Sequence, residues 1–388
     1  MATNRVLPRV VALGTYDKGK PRTRILLRGL KENGVKVTEC HIDVWSAIED
    51  KSQVQGVKAK LAIVCRLISA YPVLIWRYSR QPKHDVVLIG YLGLFDVLIL
   101  WPFVRMRGAV LVWDVFLSLY NTVVEDRALI GRNNPASVAL WLMEWLALRL
   151  VDMALMDTQA HVDYLCKTYH CSPDKVKRVF VGVEPEKFDL VEQGIKASVL
   201  DSEPKQILFY GQFIPLHGIE TVVRAAKLTE SENVQWLMIG KGQESSKIRA
   251  LVEELKPVNI SWLEWVEYDE LIKYLANSHV ALGIFGSTDK AQRVIPNKVF
   301  QILMAGRPLI TADTPAVREL LCDGEGVQLI PTASPDALAS AVITFLTCRQ
   351  STGVSSQSVA VRKQILPASI GFELLNLIKQ GLLAKKYT

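Results

Sequence analysis

Short runs of β-branched and other apolar residues alternate with helix-length segments along the whole chain. This alternation is the pattern of βα units, in which helices connect parallel strands and cover the sheet. A chain of 388 residues is long for a single core, so the sequence predicts two doubly wound α/β domains. A hydrophobic fraction of 49% excludes an intrinsically disordered chain.

Twelve segments are predicted to be strands, six in each half of the chain. Those of the first half are Val10–Gly14, Val35–Ile42, Asp85–Gly90, Ala109–Val115, Met153–Asp157 and Val176–Val183. Those of the second half are Gln206–Tyr210, Val234–Ile239, Ile260–Trp265, Val280–Ile284, Pro308–Thr311 and Gly326–Ile330. Helical patterns separate them, notably Pro135–Val151, and an amphipathic run at Ile370–Leu383 predicts a terminal helix.

The two halves are joined by a charged stretch with little apolar periodicity, flanked by Pro185 and Pro204. Such a stretch is typical of a linker. We therefore predict an N-terminal Rossmann-like domain at 1–190, a linker at 191–204 and a C-terminal Rossmann-like domain at 205–365. Residues 366–388 are predicted to form a helix, and packing back on the first domain is one place for it.

The most apolar segment, Val86–Val104, is nearly as long as a membrane span, which needs about 20 residues. Gly90, Gly93, Asp96 and Pro102 interrupt it. It is therefore predicted to be a buried strand followed by an apolar helix.

The cysteines form no CxxC pair and follow no secretory leader, which favours a reducing cytoplasm. The cluster of His161, Cys166, His170 and Cys171 lacks the spacing of zinc ligands, so no metal site is predicted.

Most of the net charge of +7 lies in the first half, where residues 1–195 hold 26 Lys and Arg against 20 Asp and Glu. This excess of +6 suggests a phosphorylated acceptor, an anionic membrane surface or nucleic acid, and a solvated face is the alternative. No nucleic-acid motif supports the third partner. Helical stretches with Arg and Trp, Leu61–Arg80 and Leu94–Arg107, suit either the inner face of a membrane or burial on the sheet.

Loops that follow strands are the candidate ligand sites, because ligands of open α/β sheets bind beyond the carboxyl ends of the strands. The first such loop is Gly14–Arg24, which is neither a GxGxxG nor a Walker A sequence. Basic side chains at a helix start suit an anion, and a solvated loop is equally compatible. Its candidate residues are Gly14, Thr15, Lys18, Lys20, Arg22 and Arg24.

Two further loops lie in the second half. Phe209–Ala226 reads as a strand, a loop marked by Gly and Pro, and a helix that begins near Gly218. In Gly283–Leu309, Pro296 precedes an apolar helix that ends at Gly306. Free N–H groups at the start of that helix, together with Arg293 and Lys298, would form a cradle for a diphosphate.

Together with GVEPEKF at 182–188 and LMIGKGQE at 237–244, these two loops resemble the donor-binding half of family 4 glycosyltransferases. The resemblance implies the GT-B fold, with two Rossmann-like domains facing a cleft. It also implies retaining transfer of a sugar from a nucleotide-sugar to an acceptor glycan or glycolipid, without a metal or other cofactor. The resemblance covers most of the chain and is more specific in the C-terminal half.

The resemblance also implies a set of donor-binding residues. They are Gly211, Gln212, His217, Gly218, Gly240, Lys241, Arg293, Asn297, Lys298 and Gln301. Gln212 and His217 stand where the family commonly has Arg and Lys, and the family's two glutamates fall on Arg293 and Gln301. Gln301 retains an acceptor oxygen for the donor ribose but no charge.

In the first half, LVWDVFLSLYNT at 111–122 lies where the family often has a His-Asp pair, and Trp113 replaces that His while Asp114 remains. Asp114 is a catalytic candidate with Arg293 and Lys298, and Tyr120 is a candidate for the acceptor side. Asp157, Thr158 and His161 follow another strand, where capping of the next helix is an equally good role.

Three other functions stay open from the sequence. A nucleotide-sugar epimerase has the same fold, but the sequence shows no cluster of carboxylates and His for sugar protons. The missing glutamates suit a non-catalytic nucleotide-sugar sensor, and nucleic-acid binding has no motif in its favour.

Overall fold

The computed structural model describes residues 7–45, 57–188, 203–324, 326–347 and 356–387. The chain divides into two compact units, one formed by Met1–Gly182 with Leu366–Thr388 and the other by Val183–Ile365. Each unit contains a six-stranded sheet whose neighbouring strands are parallel. The predicted α/β class with two Rossmann-like sheets is confirmed. Most of the stretch predicted as a linker, 191–204, lies outside the described residues.

The first sheet has the strand order β2-β1-β3-β4-β5-β6. Its strands are β1 (Arg9–Gly14), β2 (Lys36–His41), β3 (Val86–Ile89), β4 (Val110–Phe116), β5 (Met153–Met156) and β6 (Val176–Arg178). The intervening helices are α1 (Pro21–Glu32), α2 (Val57–Ser79), α3 (Leu94–Met106), α4 (Pro135–Leu150) and α5 (Gln159–Tyr169). A π-helical segment, Asn121–Asp126, lies between β4 and α4.

The second sheet has the order β12-β11-β10-β7-β8-β9. Its strands are β7 (Lys205–Tyr210), β8 (Val234–Ile239), β9 (Ile260–Leu263), β10 (Val280–Leu282), β11 (Leu309–Ala312) and β12 (Val327–Ile330). Its helices are α6 (Ile219–Leu228), α7 (Ser245–Leu255), α8 (Tyr268–Asn277), α9 (Asn297–Met304), α10 (Pro315–Arg318), α11 (Pro335–Thr347) and α12 (Ser356–Gln364).

The last helix, α13 (Pro367–Tyr387), packs against α1 in the first unit. The two helices approach backbone to backbone at Gly29 and Gly371, where a Cβ on either glycine would collide with the other helix.

The strands match the sequence predictions within two residues at each end, except in β6. Strand β6 stops at Arg178 instead of continuing to Val183, because the carbonyl of Val179 accepts a hydrogen bond from the buried side chain of Arg22. Val86–Val104 forms a strand and an apolar helix, as predicted. Within the described ranges, no helix has the length and apolar character needed to cross a membrane.

Strand order decides which loops meet at the carboxyl edge of each sheet. In the second sheet β7 lies between β8 and β10, so the chain leaves β7 and β10 in opposite directions along the sheet. Ligands of doubly wound sheets bind at such a switch point. The corresponding point of the first sheet lies between β1 and β3.

Candidate functional site

The loop after β7 is held by close backbone contacts with the loops after β8 and β10. Gly240 has a φ of 150°, and a Cβ there would collide with the carbonyl of Gly211. Gly218 has a φ of 62°, and a Cβ there would collide with the backbone of Phe285 and Gly286. Since only glycine fits at both positions, three loops converge at the switch point of the second sheet.

Lys298 points into this convergence from the first turn of α9. Its Nζ lies 4.0 Å from the centre of the Phe209 ring. A Cβ on Gly211 would lie 3.2 Å from that Nζ and 3.1 Å from Cε1 of His217. Lys298 is only 5% exposed, so the expectation that it is an exposed lysine at a helix start is wrong. The ring of Phe209 and the loops at Gly211 and His217 enclose it.

The ammonium of Lys298 is buried without a hydrogen-bond acceptor in the described structure. Burial penalises its charged form and lowers the pKa of Lys298 well below its ordinary value. The preceding residue, Pro296, offers no side-chain cap to the first N–H groups of α9. A bound anion would therefore satisfy the ammonium and these N–H groups together.

Gln301 lies one turn further along α9 and is oriented by two tyrosines. The hydroxyl of Tyr210 donates to its Oε1 at 3.0 Å, and its Nε2 donates to the hydroxyl of Tyr268 at 3.2 Å. Burial raises the pKa of Tyr210 well above its ordinary value, so this hydroxyl keeps its proton. An amide oxygen has two lone pairs, so one remains for a ligand.

The other donor-side candidates lie in the same segments. Backbone carbonyls of Gln212 and Lys241 accept hydrogen bonds from Ile214 and Phe213, each at 3.1 Å, which shapes the turn after β7. Arg293 is half-buried between β10 and α9, and Asn297 opens α9. The predicted residues therefore gather at one edge of the second sheet, and their individual roles stay predictions.

In the first unit, Arg22 and Asp114 form a buried ion pair. Nε of Arg22 lies 2.8 Å from Oδ1 of Asp114, and Nη1 donates to the carbonyl of Val179 at 2.8 Å. Both side chains are fully buried. Burial raises the pKa of Asp114, and the nearby Arg22 opposes that effect. The sequence placed Arg22 in an exposed basic loop, whereas the structure turns it inward because Asp114 needs a counter-ion.

The rest of the loop after β1 is bound to protein groups. The N–H of Thr15 donates to Oδ2 of Asp96 at 2.7 Å, and a Cβ on Gly14 would collide with the same carboxyl. Nζ of Lys18 lies 2.9 Å from Glu39, and Arg24 donates to the carbonyl of Lys18 at 2.6 Å. Any anion bound by this loop would compete with these partners, so its predicted role stays untested.

Two acidic groups behind the loops were not identified as site residues. Glu144 of α4 accepts hydrogen bonds from the Ser118 hydroxyl at 2.7 Å and from the N–H of Tyr120 at 3.4 Å. Like Asp96, it is a lone carboxylate in an apolar helix, and that isolation is the sequence signal for a buried anchor. Tyr120 is half-buried on the segment that Glu144 holds.

The end of β5 carries both roles that the sequence left open. Thr158 caps α5 by accepting a hydrogen bond from the N–H of His161 at 3.1 Å. Asp157 instead pairs with His161, with Oδ1 at 2.6 Å from Nδ1, and both side chains are buried. Helix capping therefore falls to Thr158.

Comparisons with known proteins fit this donor-side geometry. The sequence model of the family described as glycosyl transferases group 1 matches residues 191–357. An uncharacterized glycosyltransferase of Methanocaldococcus jannaschii is 23% identical over 356 residues, which cover 87% of this chain and 86% of that protein. Residues 191–357 are a group 1 glycosyl transferase domain, and the chain is a glycosyltransferase.

Solved structures share the fold of this glycosyltransferase. Sucrose-phosphate synthase of Thermosynechococcus elongatus superposes with a TM-score of 0.68 at 16% identity, covering 97% of this chain and 100% of that one. HepE of Anabaena, in complex with UDP and glucose, superposes with a TM-score of 0.63 at 11% identity, covering 96% and 99%. These likenesses confirm the predicted GT-B fold.

Proposed function

We propose that this glycosyltransferase belongs to the family 4 type and transfers a sugar, with retention, from a nucleoside-diphosphate sugar to a glycan or glycolipid acceptor. The carrying observation is the unpartnered ammonium of Lys298, enclosed with Gly211 and His217 at the switch point of the second sheet. A buried cation without a counter-ion is costly, and the diphosphate of the donor would supply that counter-ion. HepE, with the same fold, has been solved with UDP.

The proposed chemistry places the protein's positive groups on the leaving diphosphate. The bond from the sugar C1 to the diphosphate oxygen breaks, and a bond from C1 to the acceptor oxygen forms on the same face. Negative charge grows on the diphosphate, where Lys298, Arg293 and the first N–H groups of α9 would stabilise it in a site shielded from water. His217 would assist, and the departing phosphate would take the acceptor proton.

The acceptor proposal rests on the basic first half of the chain. A lipid-linked or phosphorylated precursor of a cell-surface polysaccharide would be attracted by its +6 excess. A galactosyltransferase of the lipopolysaccharide outer core, WaaB, has the same fold, with a TM-score of 0.59 at 12% identity. This use of the fold agrees with a cytoplasmic enzyme at the inner face of a membrane.

Donor turnover tests the proposal directly. Pure protein is incubated with a panel of nucleotide sugars, and release of nucleoside diphosphate is measured without and with candidate acceptors. Slow donor hydrolysis is expected for one nucleotide, accompanied by a raised melting temperature with that nucleoside diphosphate. A raised melting temperature without any release would indicate a sensor, and conversion of the sugar without release would indicate an epimerase.

The substitution Gln301→Glu is expected to strengthen binding of the preferred nucleoside diphosphate about fivefold. A carboxylate at this position still accepts from Tyr210 and presents a charged acceptor to the ribose, and charge-assisted hydrogen bonds are roughly twice as strong as neutral ones. Calorimetry measures the dissociation constant, with Gln301→Met as the matched variant that lacks an acceptor and should bind more weakly. Equal affinity in all three proteins would remove Gln301 from the ribose site.

A further inference from the structure

Three neighbouring helices of the first unit carry exposed apolar stripes. On α3 the stripe consists of Phe95, Ile99, Pro102 and Met106, which recur at helical spacing and are all exposed. On α4 it consists of Val138, Leu142 and Leu146, and on α2 of Ile68, Val73 and Trp76. Exposure reaches 83% at Met106 and 65% at Ile68. Scattered exposed apolar residues are ordinary, but aligned stripes on adjacent helices are not.

The stripes face the same way. Helix α3 packs against both α2 and α4. The inward residues of all three helices join one core with the first sheet, for example Leu74, Leu100 and Leu148. Since the opposite sides of the three helices point away from that sheet, the stripes form one continuous surface, here called the α2–α4 surface.

The α2–α4 surface is cationic as well as apolar. The three helices contain six basic residues, and their only carboxylates are Asp96 and Glu144. Both carboxylates are buried and hydrogen-bonded inside the unit, so neither contributes a negative group to the surface. An apolar face bordered by cations, without an exposed acid, is complementary to an anionic and apolar partner.

Arginines on this surface lie against tryptophans. The guanidinium of Arg80 lies 3.7 Å from the ring centre of the exposed Trp76, and that of Arg149 lies 3.8 Å from the ring of Trp145. Such pairs put a large apolar body beside a charge that stays hydrated, which suits the headgroup region of a bilayer.

We propose that the α2–α4 surface docks this enzyme on an anionic lipid bilayer, with the three helices lying in the interface. The 13 residues of α3 are too few to span a bilayer, which needs about 20, so the helices lie on the membrane without crossing it. This proposal goes beyond donor binding and does not depend on it.

Vesicle co-sedimentation of the full chain tests the docking surface. Binding is expected to vesicles of equal parts phosphatidylglycerol and phosphatidylcholine, and not to pure phosphatidylcholine. It should fall steeply as salt is raised from about 0.1 to about 0.5 M, because ions screen the surface charges. Absent binding, or equal binding to both vesicle types, would overturn the proposal.

Variants separate the two contributions. Phe95→Ser with Met106→Ser should weaken binding about tenfold or more, because two exposed apolar side chains no longer insert. Arg66→Gln with Arg80→Gln should weaken it about 25-fold, at about fivefold for each cation. The matched control, Val258→Ser with Trp265→Ala, removes two exposed apolar side chains from the other unit and should bind like the wild type.

Two further measurements make the outcomes distinct. If the variants bind vesicles as the control does, the proposed surface is wrong. If sedimentation velocity instead shows a dimer that the Phe95 and Met106 substitutions dissociate, the surface is a contact between copies and the lipid proposal fails. The melting-temperature shift with nucleoside diphosphate, measured on the same samples, reports folding and donor binding. Its absence alongside vesicle binding would contradict only the donor proposal.

Discussion

Replacement of Lys298 by methionine is expected to weaken nucleoside diphosphate binding roughly tenfold to a hundredfold while stabilising the unliganded protein. The first effect is the loss of a charge-assisted hydrogen bond, about 1.5–3 kcal/mol. The second arises because Lys298 is 5% exposed and has no acceptor, so an apolar side chain of similar length removes an unsatisfied polar group. That group costs about 1–3 kcal/mol. Calorimetry and urea unfolding measure the two changes.

The pH dependence has a defined sign. Burial lowers the pKa of Lys298 below its ordinary value of 10.5, so between the lowered pKa and 10.5 the unfolded chain binds the additional proton. The stability contributed by this site therefore rises with pH across that window and is lost as pH falls. A bound diphosphate reverses the preference, so binding should take up a proton and tighten as pH falls through the same window.

The control is Lys273→Met, which removes an exposed lysine from α8 in the same unit and should change neither quantity. Proton uptake is read from calorimetry in buffers of different ionisation enthalpy, and it should vanish in Lys298→Met. A variant that binds nucleoside diphosphate as the wild type does would place the diphosphate elsewhere, whatever its stability.

The fold was predictable because each strand carries its own signal. A buried parallel strand reads as a short apolar run, and the runs at Val86–Ile89 and Val234–Ile239 are visible without tertiary information. The end of β6 was not predictable. It depends on Arg22, which is distant in sequence from Val179 and captures its carbonyl.

The donor site was predictable only at the level of loops. Strand order brings the loops after β7 and β10 together, and the sequence patterns at Gly211–Gly218 and Pro296–Lys298 marked both. The burial of Lys298 was not predictable, because a lysine in the first turn of a helix is usually exposed. Here the ring of Phe209 covers its ammonium, and that contact joins residues from separate elements.

Removing Arg22 as Arg22→Met is expected to destabilise the protein by about 3–5 kcal/mol, because the buried carboxylate of Asp114 loses its counter-ion. Asp114→Asn should have an effect of similar size, since it leaves the guanidinium buried and uncompensated. The double variant Arg22→Met with Asp114→Leu removes both charges and should be more stable than either single variant. Urea unfolding of the four proteins gives the coupling energy of the pair.

The same cycle distinguishes a structural ion pair from a ligand site. In Arg22→Met the pKa of Asp114 should rise further, because burial raises it and only Arg22 opposes that effect strongly. The deficit in stability should therefore shrink as pH falls and Asp114 takes up a proton. A deficit that does not change with pH, or additive single effects, would contradict the buried pair. If both single variants kept their stability but lost transfer to the acceptor, Arg22 and Asp114 would instead act on substrate, as the sequence predicts.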